Sequence, residues 1–332
     1  MRIQADDLRR LCRKLLERAG LRAPDAKLVA DSLVTANLRG TDSHGVARLP
    51  HYLARIRNGS IAPRPRIRVV RSRRAIAVVD GGHGMGQLAN QFALAEAIRR
   101  ARRFGAGWVA IRNSSHCGAL AYFGQQIARA NMIGLVFSHV DPMVLPFGAR
   151  RPFHGTNPIC ITLPGRRTEV FCLDMATSIV PWNVVANAAI EGKSIARGLA
   201  VDLAGRETTN PRRVAALYPF GAHRGSGLGL AIDLLCAMLS DSPFGPHIPK
   251  MYGDLKQRRR LGGLVGAIDI AAFTDVRRFK RRVGQFMREL RALPPAVLAP
   301  NDPEKRRFAE RSRKGIPLPE PVWNELNKLR NS

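Results

Sequence analysis

The sequence predicts a mixed fold of helices and strands, in which an N-terminal helical lobe leads into a longer region of short apolar runs alternating with helices. Three observations carry this. Leucines recur at helical spacing near the N-terminus, as in Leu8, Leu11, Leu15 and Leu16. Short apolar runs of strand length then recur between residues 67 and 270, bounded by Gly, Pro, Asn and Asp. No apolar run approaches the roughly 20 residues needed to span a bilayer, so a soluble protein is expected.

In chain order, 6–19 reads as an amphipathic helix closed by Gly20, and 26–38 as a second helix that stops near Gly40. Asp42 or Ser43 is placed to cap the next helix, and a helical 43–52 would set His44, Arg48 and Tyr52 on one face. The turn-rich stretch 59–65 closes this lobe. Strand-like runs come next at 67–70 and 75–80, then a helix to Arg103 and a strand at 108–111. Between them, Gly84-Met85-Gly86-Gln87-Leu88-Ala89 fits the G-x-G-x-x-A spacing of a dinucleotide fingerprint. Two features argue against it. The glycines begin several residues beyond the strand, and the next strand ends in Arg112-Asn113 with no acid to hold a ribose.

A helix is expected over 120–130, and strands over 134–137, 159–163 and 170–173. The Gly-rich turn 220–227 precedes a helix over 226–240. It offers free N–H groups beside Arg224, an anion site or simply a packed turn. A strand at 264–270 and a helix at 275–290 come next, then a Pro- and charge-rich tail with a last helix near 322–329.

The formal charge of +29 is the anomaly. Its Arg clusters, such as 99–103, 256–260 and 277–282, are dispersed and lack the aromatic interleaving of a single-strand binder, so a solvated basic surface is the expectation and no specific nucleic acid is expected. Five widely spaced cysteines without a CxxC pair point to a reducing compartment, the cytoplasm, and to no metal cage. The N-terminus lacks the apolar stretch of a secretory signal.

Chemistry concentrates at Asn113-Ser114-Ser115-His116-Cys117-Gly118-Ala119, between a strand and a helix. A histidine at such a junction faces a cleft as a general acid/base or serves as a hydrogen-bonded turn residue. Four further motifs share the chain with it in order: Asp42-Ser43-His44-Gly45 with Arg48-Leu49-Pro50 and Tyr52, Gly155-Thr156-Asn157-Pro158, Asp174-Met175-Ala176-Thr177-Ser178, and Thr208-Thr209-Asn210-Pro211. Together they resemble the malate/L-lactate dehydrogenase family, over nearly the whole chain. Within it, Asp141-Pro142-Met143-Val144 and Ser242-Pro243-Phe244-Gly245 with Met251-Tyr252-Gly253-Asp254-Leu255 resemble the ureidoglycolate dehydrogenase branch.

The resemblance implies an α+β fold that is not of the Rossmann type, with a mainly antiparallel cofactor-binding sheet flanked by helical regions. It implies a homodimer using NAD, with NADP as the alternative, and makes the G-x-G-x-x-A stretch a packing turn. The organisation expected is a helical region over 1–62 packed with 290–332, and a sheet domain over 63–289. By the same resemblance His116 is the proton acceptor. Ser43, His44, Tyr52 and Thr156 contact substrate, with His44 also near the nicotinamide. Val140, Asp174, Met175, Ala176, Arg224 and Gly225 lie against the dinucleotide. Arg48 suits the carboxylate of a 2-hydroxy acid because its guanidinium grips in two places. Asp141 is expected either to accept hydrogen bonds from a ureido group or to sit solvated in its loop.

The chain departs from the family pattern on the cofactor side. Asn183-Val184 stands where Gly-Lys is usual, Arg224-Gly225-Ser226-Gly227 where Lys-Gly-Tyr-Gly is usual, and Pro300-Asn301-Asp302 where Pro-Gly-Glu is usual. The expected activity is oxidation of a small 2-hydroxy acid, ureidoglycolate to oxalurate first. Malate, lactate, sulfolactate or a cyclic imino acid are the alternative substrates, and a paralogue with impaired cofactor binding is the alternative outcome.

Overall fold

The structure, a computed structural model, describes residues 1–295 and 297–331. In chain order the helices are α1 (Ala5–Arg18), α2 (Ala23–Leu38), α3 (Leu49–Arg57), α4 (Gly86–Phe104), α5 (Ala121–Arg129), α6 (Trp182–Glu191), α7 (His223–Met238), α8 (Val276–Ala292), α9 (Asp302–Lys314) and α10 (Glu320–Asn331). The strands are β1 (Arg2–Ile3), β2 (Arg68–Arg73), β3 (Ile76–Asp80), β4 (Ala106–Ser114), β5 (Met132–Ser138), β6 (Ile159–Pro164), β7 (Val170–Met175), β8 (Ala200–Val201), β9 (Ala216–Leu217), β10 (Leu261–Asp269) and β11 (Ile316–Pro317).

Seven of these strands make one sheet, ordered β2-β3-β4-β10-β5-β6-β7. Every neighbouring pair in it is antiparallel except β3 and β4, which run parallel and are joined through α4. The period of two along a strand assigns residues to faces. On β4, Val109 and Ile111 pack with Ala93 and Ala97 of α4 and with Phe123 and Ile127 of α5, while Ala110 turns to the other face with Ile232 and Cys236 of α7. The sheet is therefore covered on both sides.

The glycines of the fingerprint-like stretch are filled by protein. A Cβ on Gly84 would lie 2.4 Å from Pro65, and one on Gly86 would lie 2.2 Å from the Ser115 carbonyl oxygen. The Gly86 N–H is already taken by Ser115 Oγ at 2.9 Å. These glycines allow α4 to press against the backbone that carries His116.

The helical lobe has its own core. Leu8, Leu15 and Leu16 of α1 and Val29 and Leu33 of α2 are buried together with Ile316, Leu318 and Leu326 from the chain's end. Chain start and end are further tied by pairing of β1 with β11.

Three expectations are corrected. Residues 43–52 do not form one helix: two single turns, Asp42–His44 and Val46–Arg48, precede α3. The break is at Gly45, which is extended and so close to Asn37 that a Cβ would meet its amide at 2.2 Å. Asp42 does not cap; it pairs with Arg311 of α9. Second, α7 begins at His223, so Gly225 to Gly227 lie in its first turns and not in a loop before it. Third, the basic clusters are not wholly solvated, because Arg100 and Arg259 are buried.

Candidate active site

Four of the five motif segments converge on a cleft of about 710 Å³, formed where the helical lobe meets the ends of β4, β5 and β7; Thr208-Thr209-Asn210-Pro211 is not among its lining residues. Its walls include Ser43, His44, Arg48, His116, Val140, Asp141, Thr156, Asp174, Met175 and Ala176. Tyr52 lies behind this wall, reaching His116 from below. Arg224 and Gly225 are not among the lining residues. Arg224 is exposed on the first turn of α7, and Gly225 is buried because its Cα presses on Phe220, where a Cβ would sit 2.0 Å from the carbonyl oxygen.

His116 is held from three sides. Tyr52 Oη lies 2.5 Å from its Nδ1, and the Gly118 nitrogen lies 3.4 Å from the same atom. The His44 ring stacks on it, centroids 5.4 Å apart and 22° from parallel. Burial, then the neighbouring His44, Arg48 and Arg259, holds the His116 imidazole well below its ordinary pKa. His44 is pushed down to about 4 by burial and by Arg48. Both rings are neutral at pH 7, the state in which an imidazole can accept a proton.

Arg48 comes into the cleft from the second single turn. Its Nε–H donates to the Ser43 carbonyl at 2.6 Å and its Nη1 to Tyr252 Oη, so the guanidinium is aimed before any ligand arrives. Ser43 Oγ in turn contacts His44 Nδ1 at 2.8 Å.

Asp141 is neither solvated nor free. It is 4% exposed, pairs with the Nη2 of Arg259 and accepts the Met251 N–H at 3.2 Å. Its carboxylate helps hold the 249–259 segment over the cleft, which corrects the alternative expectation that it sits solvated in its loop. The loop bearing Val140 and Asp141 is anchored by buried His139, whose Nδ1 meets Asp233 at 2.8 Å and whose Nε2 accepts the Gly262 N–H at 2.7 Å. Thr156 lines the opposite wall while its carbonyl accepts the Thr177 N–H at 2.8 Å.

The other half of the cleft is built from the end of β7, the start of α6 and the 298–304 segment. Asp174 opens onto the cleft but has protein on its remaining sides. Desolvation pushes its carboxyl up to about 6, against the opposing pull of the Ala121 N–H (2.8 Å) and Arg39. Asn183 lines this half and its buried Oδ1 has no partner among the described residues, while Val184 is exposed. At the departure Pro300-Asn301-Asp302, Asn301 takes the left-handed conformation (φ 87°) that a glycine adopts freely and asparagine tolerates. Its side chain accepts from Arg39 at 2.7 Å and donates to the Val170 carbonyl at 2.8 Å.

Sequence reasoning missed Arg259, Tyr252, Arg39 and Asn301 as parts of this site. Arg259 sits among Lys256, Arg258 and Arg260, and nothing in that run marks the one arginine that turns inward. Asn301 carried a signal, since a glycine-like departure filled by Asn suits a positive φ.

The malate/L-lactate dehydrogenase family model matches residues 3–327. Ureidoglycolate dehydrogenase (NAD(+)) of Escherichia coli is 35% identical over 98% of this chain and 95% of its own length. Malate/(S)-sulfolactate dehydrogenase of Methanothermus fervidus is 33% identical over 99% of this chain and 97% of its own. The crystal structure of a dehydrogenase from Sinorhizobium meliloti superposes with a TM-score of 0.94 at 36% identity, covering 99% of this chain and 98% of that one. The fold is thus shared with named dehydrogenases, and the protein is an oxidoreductase. This chain belongs to the malate/L-lactate dehydrogenase family.

Proposed function

We propose that this protein oxidises a small 2-hydroxy acid with a nicotinamide dinucleotide, ureidoglycolate to oxalurate being the preferred reaction. The observation that carries the reading is a neutral His116 in a cleft wall beside a pre-aimed Arg48. The relatives named ureidoglycolate dehydrogenase favour that substrate over malate or sulfolactate.

The residues fit a dinucleotide. The cleft volume lies within the few hundred to ~1,000 Å³ usual for ligand sites, and it offers an open carboxyl at Asp174 and an unpartnered Asn183 Oδ1. Val140, Asp174, Met175, Ala176 and Asn183 would hold the cofactor, with His44 near its reactive end. The filled glycines at Gly84 and Gly86 favour this cleft over a Rossmann-type phosphate turn there. A bound nicotinamide supplies the hydride acceptor. The chain's own residues do the rest. Arg48 grips the substrate carboxylate through two N–H groups. Ser43, His44 and Thr156 orient the hydroxyl carbon. His116 takes the hydroxyl proton, and Tyr52 holds its ring. Asp141 keeps Arg259 and the Met251–Tyr252 segment in place.

Arg224 and Gly225 enter this reading only as the turn that seats Phe220 in the cleft wall. The reading includes a homodimer, which the exposed Leu234, Leu235, Met238 and Leu239 on and just after α7 favour. It includes a cytoplasmic setting, consistent with five buried free thiols. It divides the chain into a helical region, 1–62 with 290–332, and a sheet domain, 63–289, that close on the cleft between them.

A second reading, a paralogue with impaired cofactor binding, draws on exposed Val184 and on Arg224 lying outside the cleft. Fluorescence titration with NADH and NADPH at physiological salt separates the two. It is followed by turnover on ureidoglycolate, malate, lactate, sulfolactate and a cyclic imino acid. Saturable micromolar binding with turnover is the expected result. Absence of binding by either nucleotide would give the second reading precedence.

A further inference from the structure

Behind His116 lies a second, far smaller cavity of about 10 Å³, at the lower limit of what one water occupies. His116 and Met251 line both this cavity and the cleft, so the His116 ring is part of the wall between them. Tyr52, Arg259, His51 and His83 face the small cavity. Two polar atoms from its lining residues are buried without a partner among the described residues: Arg259 Nη1, which can only donate, and His83 Nδ1, which can accept. One water satisfies both, and a polar site with such a pair is where buried water is found.

His83 reaches this place by an unusual backbone. It has φ 58°, a conformation that costs a non-glycine residue strain, and the strain is held by its N–H on the Asn113 carbonyl and its carbonyl on the Ala62 N–H, each at 2.8 Å. The flanking Gly82-His83-Gly84-Met85-Gly86 is the stretch that mimics a dinucleotide fingerprint. Its glycines bring it beneath the His116 backbone, and what it delivers there is an imidazole.

We propose that this cavity holds one water and that His116, Tyr52, the water and His83 form a proton outlet leading away from the cleft. The proposal rests on the reading of His116 as the base. The hydroxyl proton binds the His116 nitrogen facing the cleft as the substrate O–H bond breaks. The Nδ1 proton passes to Tyr52 Oη across 2.5 Å. Tyr52 releases its own hydroxyl proton to the water, and the water gives one of its protons to His83 Nδ1. His83 then loses its Nε2 proton to solvent. Each member ends with the number of protons it began with, and only the side of the ring or oxygen that carries them has changed. The water accepts from Arg259 Nη1 throughout and so stays oriented toward His83. His51 faces the same cavity but its Nε2 already accepts from Arg55 Nε at 3.1 Å, which leaves His83 as the acceptor. Burial and the nearby Arg258 lower the His83 pKa, so it is neutral and able to receive a proton at pH 7.

Two measurements test this. A high-resolution crystal structure of the wild-type protein without ligands should show an ordered water bridging Arg259 Nη1 and His83 Nδ1; a dry cavity overturns the outlet. In turnover with ureidoglycolate, His83→Asn keeps a residue that tolerates the left-handed backbone but cannot relay a proton. Its kcat should fall about tenfold with KM unchanged, the solvent deuterium isotope effect on kcat should rise, and added imidazole should restore the rate. Wild-type kcat and isotope effect in His83→Asn overturn the proposal. His116→Ala, run alongside, isolates the two claims. If it stays active, the base assignment itself has failed. If it is inactive while His83→Asn is normal, only the outlet has failed.

Discussion

The two halves of the cleft are built differently. The half around His116 is tied together by contacts between segments far apart in the chain: Tyr52 to His116, Arg48 to Tyr252, Asp141 to Arg259. Each functional group there is already aimed, and Tyr52, Asp141 and Arg259 are buried. The half around Asp174, Asn183 and Pro300 presents an Asp174 carboxyl destabilised in its ionised form, an orphaned amide oxygen and an exposed Val184. A rigid, preset geometry suits proton transfer, where misplacement by an ångström is costly. Unsatisfied polar groups suit a surface completed by a large ligand. Two of the departures from the family pattern, at Asn183-Val184 and Pro300-Asn301-Asp302, fall in the second half, while Arg224-Gly225-Ser226-Gly227 lies outside the cleft lining.

This contrast can be broken by substitution. The largest expected effect is on turnover: His116→Ala should lower kcat roughly a thousandfold while NADH affinity changes little. In the wild type, the acid limb of kcat/KM should lie below pH 6.5, because the free-enzyme imidazole titrates well below that value. A limb at 6.5 or above would show that the ring is not desolvated as described. Next, Asp141→Ala leaves Arg259 charged, buried and unpaired, and should cost about 3–5 kcal/mol in urea unfolding. An unchanged midpoint would mean that the two halves are not held differently.

Arg48→Lys should raise KM for the hydroxy acid about tenfold, the loss of one arm of a two-armed grip, with a smaller change in kcat. An unchanged KM would remove Arg48 from the carboxylate site. The smallest effect belongs to the other half. The Asp174 pKa of about 6 is above the ordinary 3.8, so the native state favours the protonated acid, and stability falls as pH rises from about 4 through 6. Asp174→Asn removes that loss. Its gain in Tm should be larger at pH 8 than at pH 4, by only about 1 °C because the cleft leaves Asp174 exposed to solvent, while nucleotide affinity weakens. Equal shifts at both pH values would show that desolvation does not raise its pKa.

Much of the fold was legible because periodicity reports burial. The leucines of α1, the alternating apolar runs of β3 to β7 and the β10 strand were expected within a few residues of where they lie. Helices α6 and α9 were not. The run Asp302–Lys314 is mostly charged, and its place in the fold is set by Arg311 reaching Asp42 and Asp302 reaching Arg291, contacts that no local pattern announces. The site was legible where a motif is short and contiguous, as at Ser43-His44, His116 and Asp174. It was not legible where one arginine of a basic run turns inward.

The order of the motifs was enough, by itself, to indicate the family and to single out His116 and Arg48, because those positions are set by chemistry that tolerates few residue types. Three matters were decided only in three dimensions. Gly84 and Gly86 proved to be packing contacts, since Pro65 and the backbone carrying His116 fill their space. Asp141 proved to be an internal counter-ion, since only the fold brings Arg259 to it across 118 residues. His83, in a stretch that by spacing belonged to another motif, proved to line the small cavity behind His116. Local sequence reports what a residue can do; which atoms stand near it depends on contacts between distant segments, and those exist only once the core has packed.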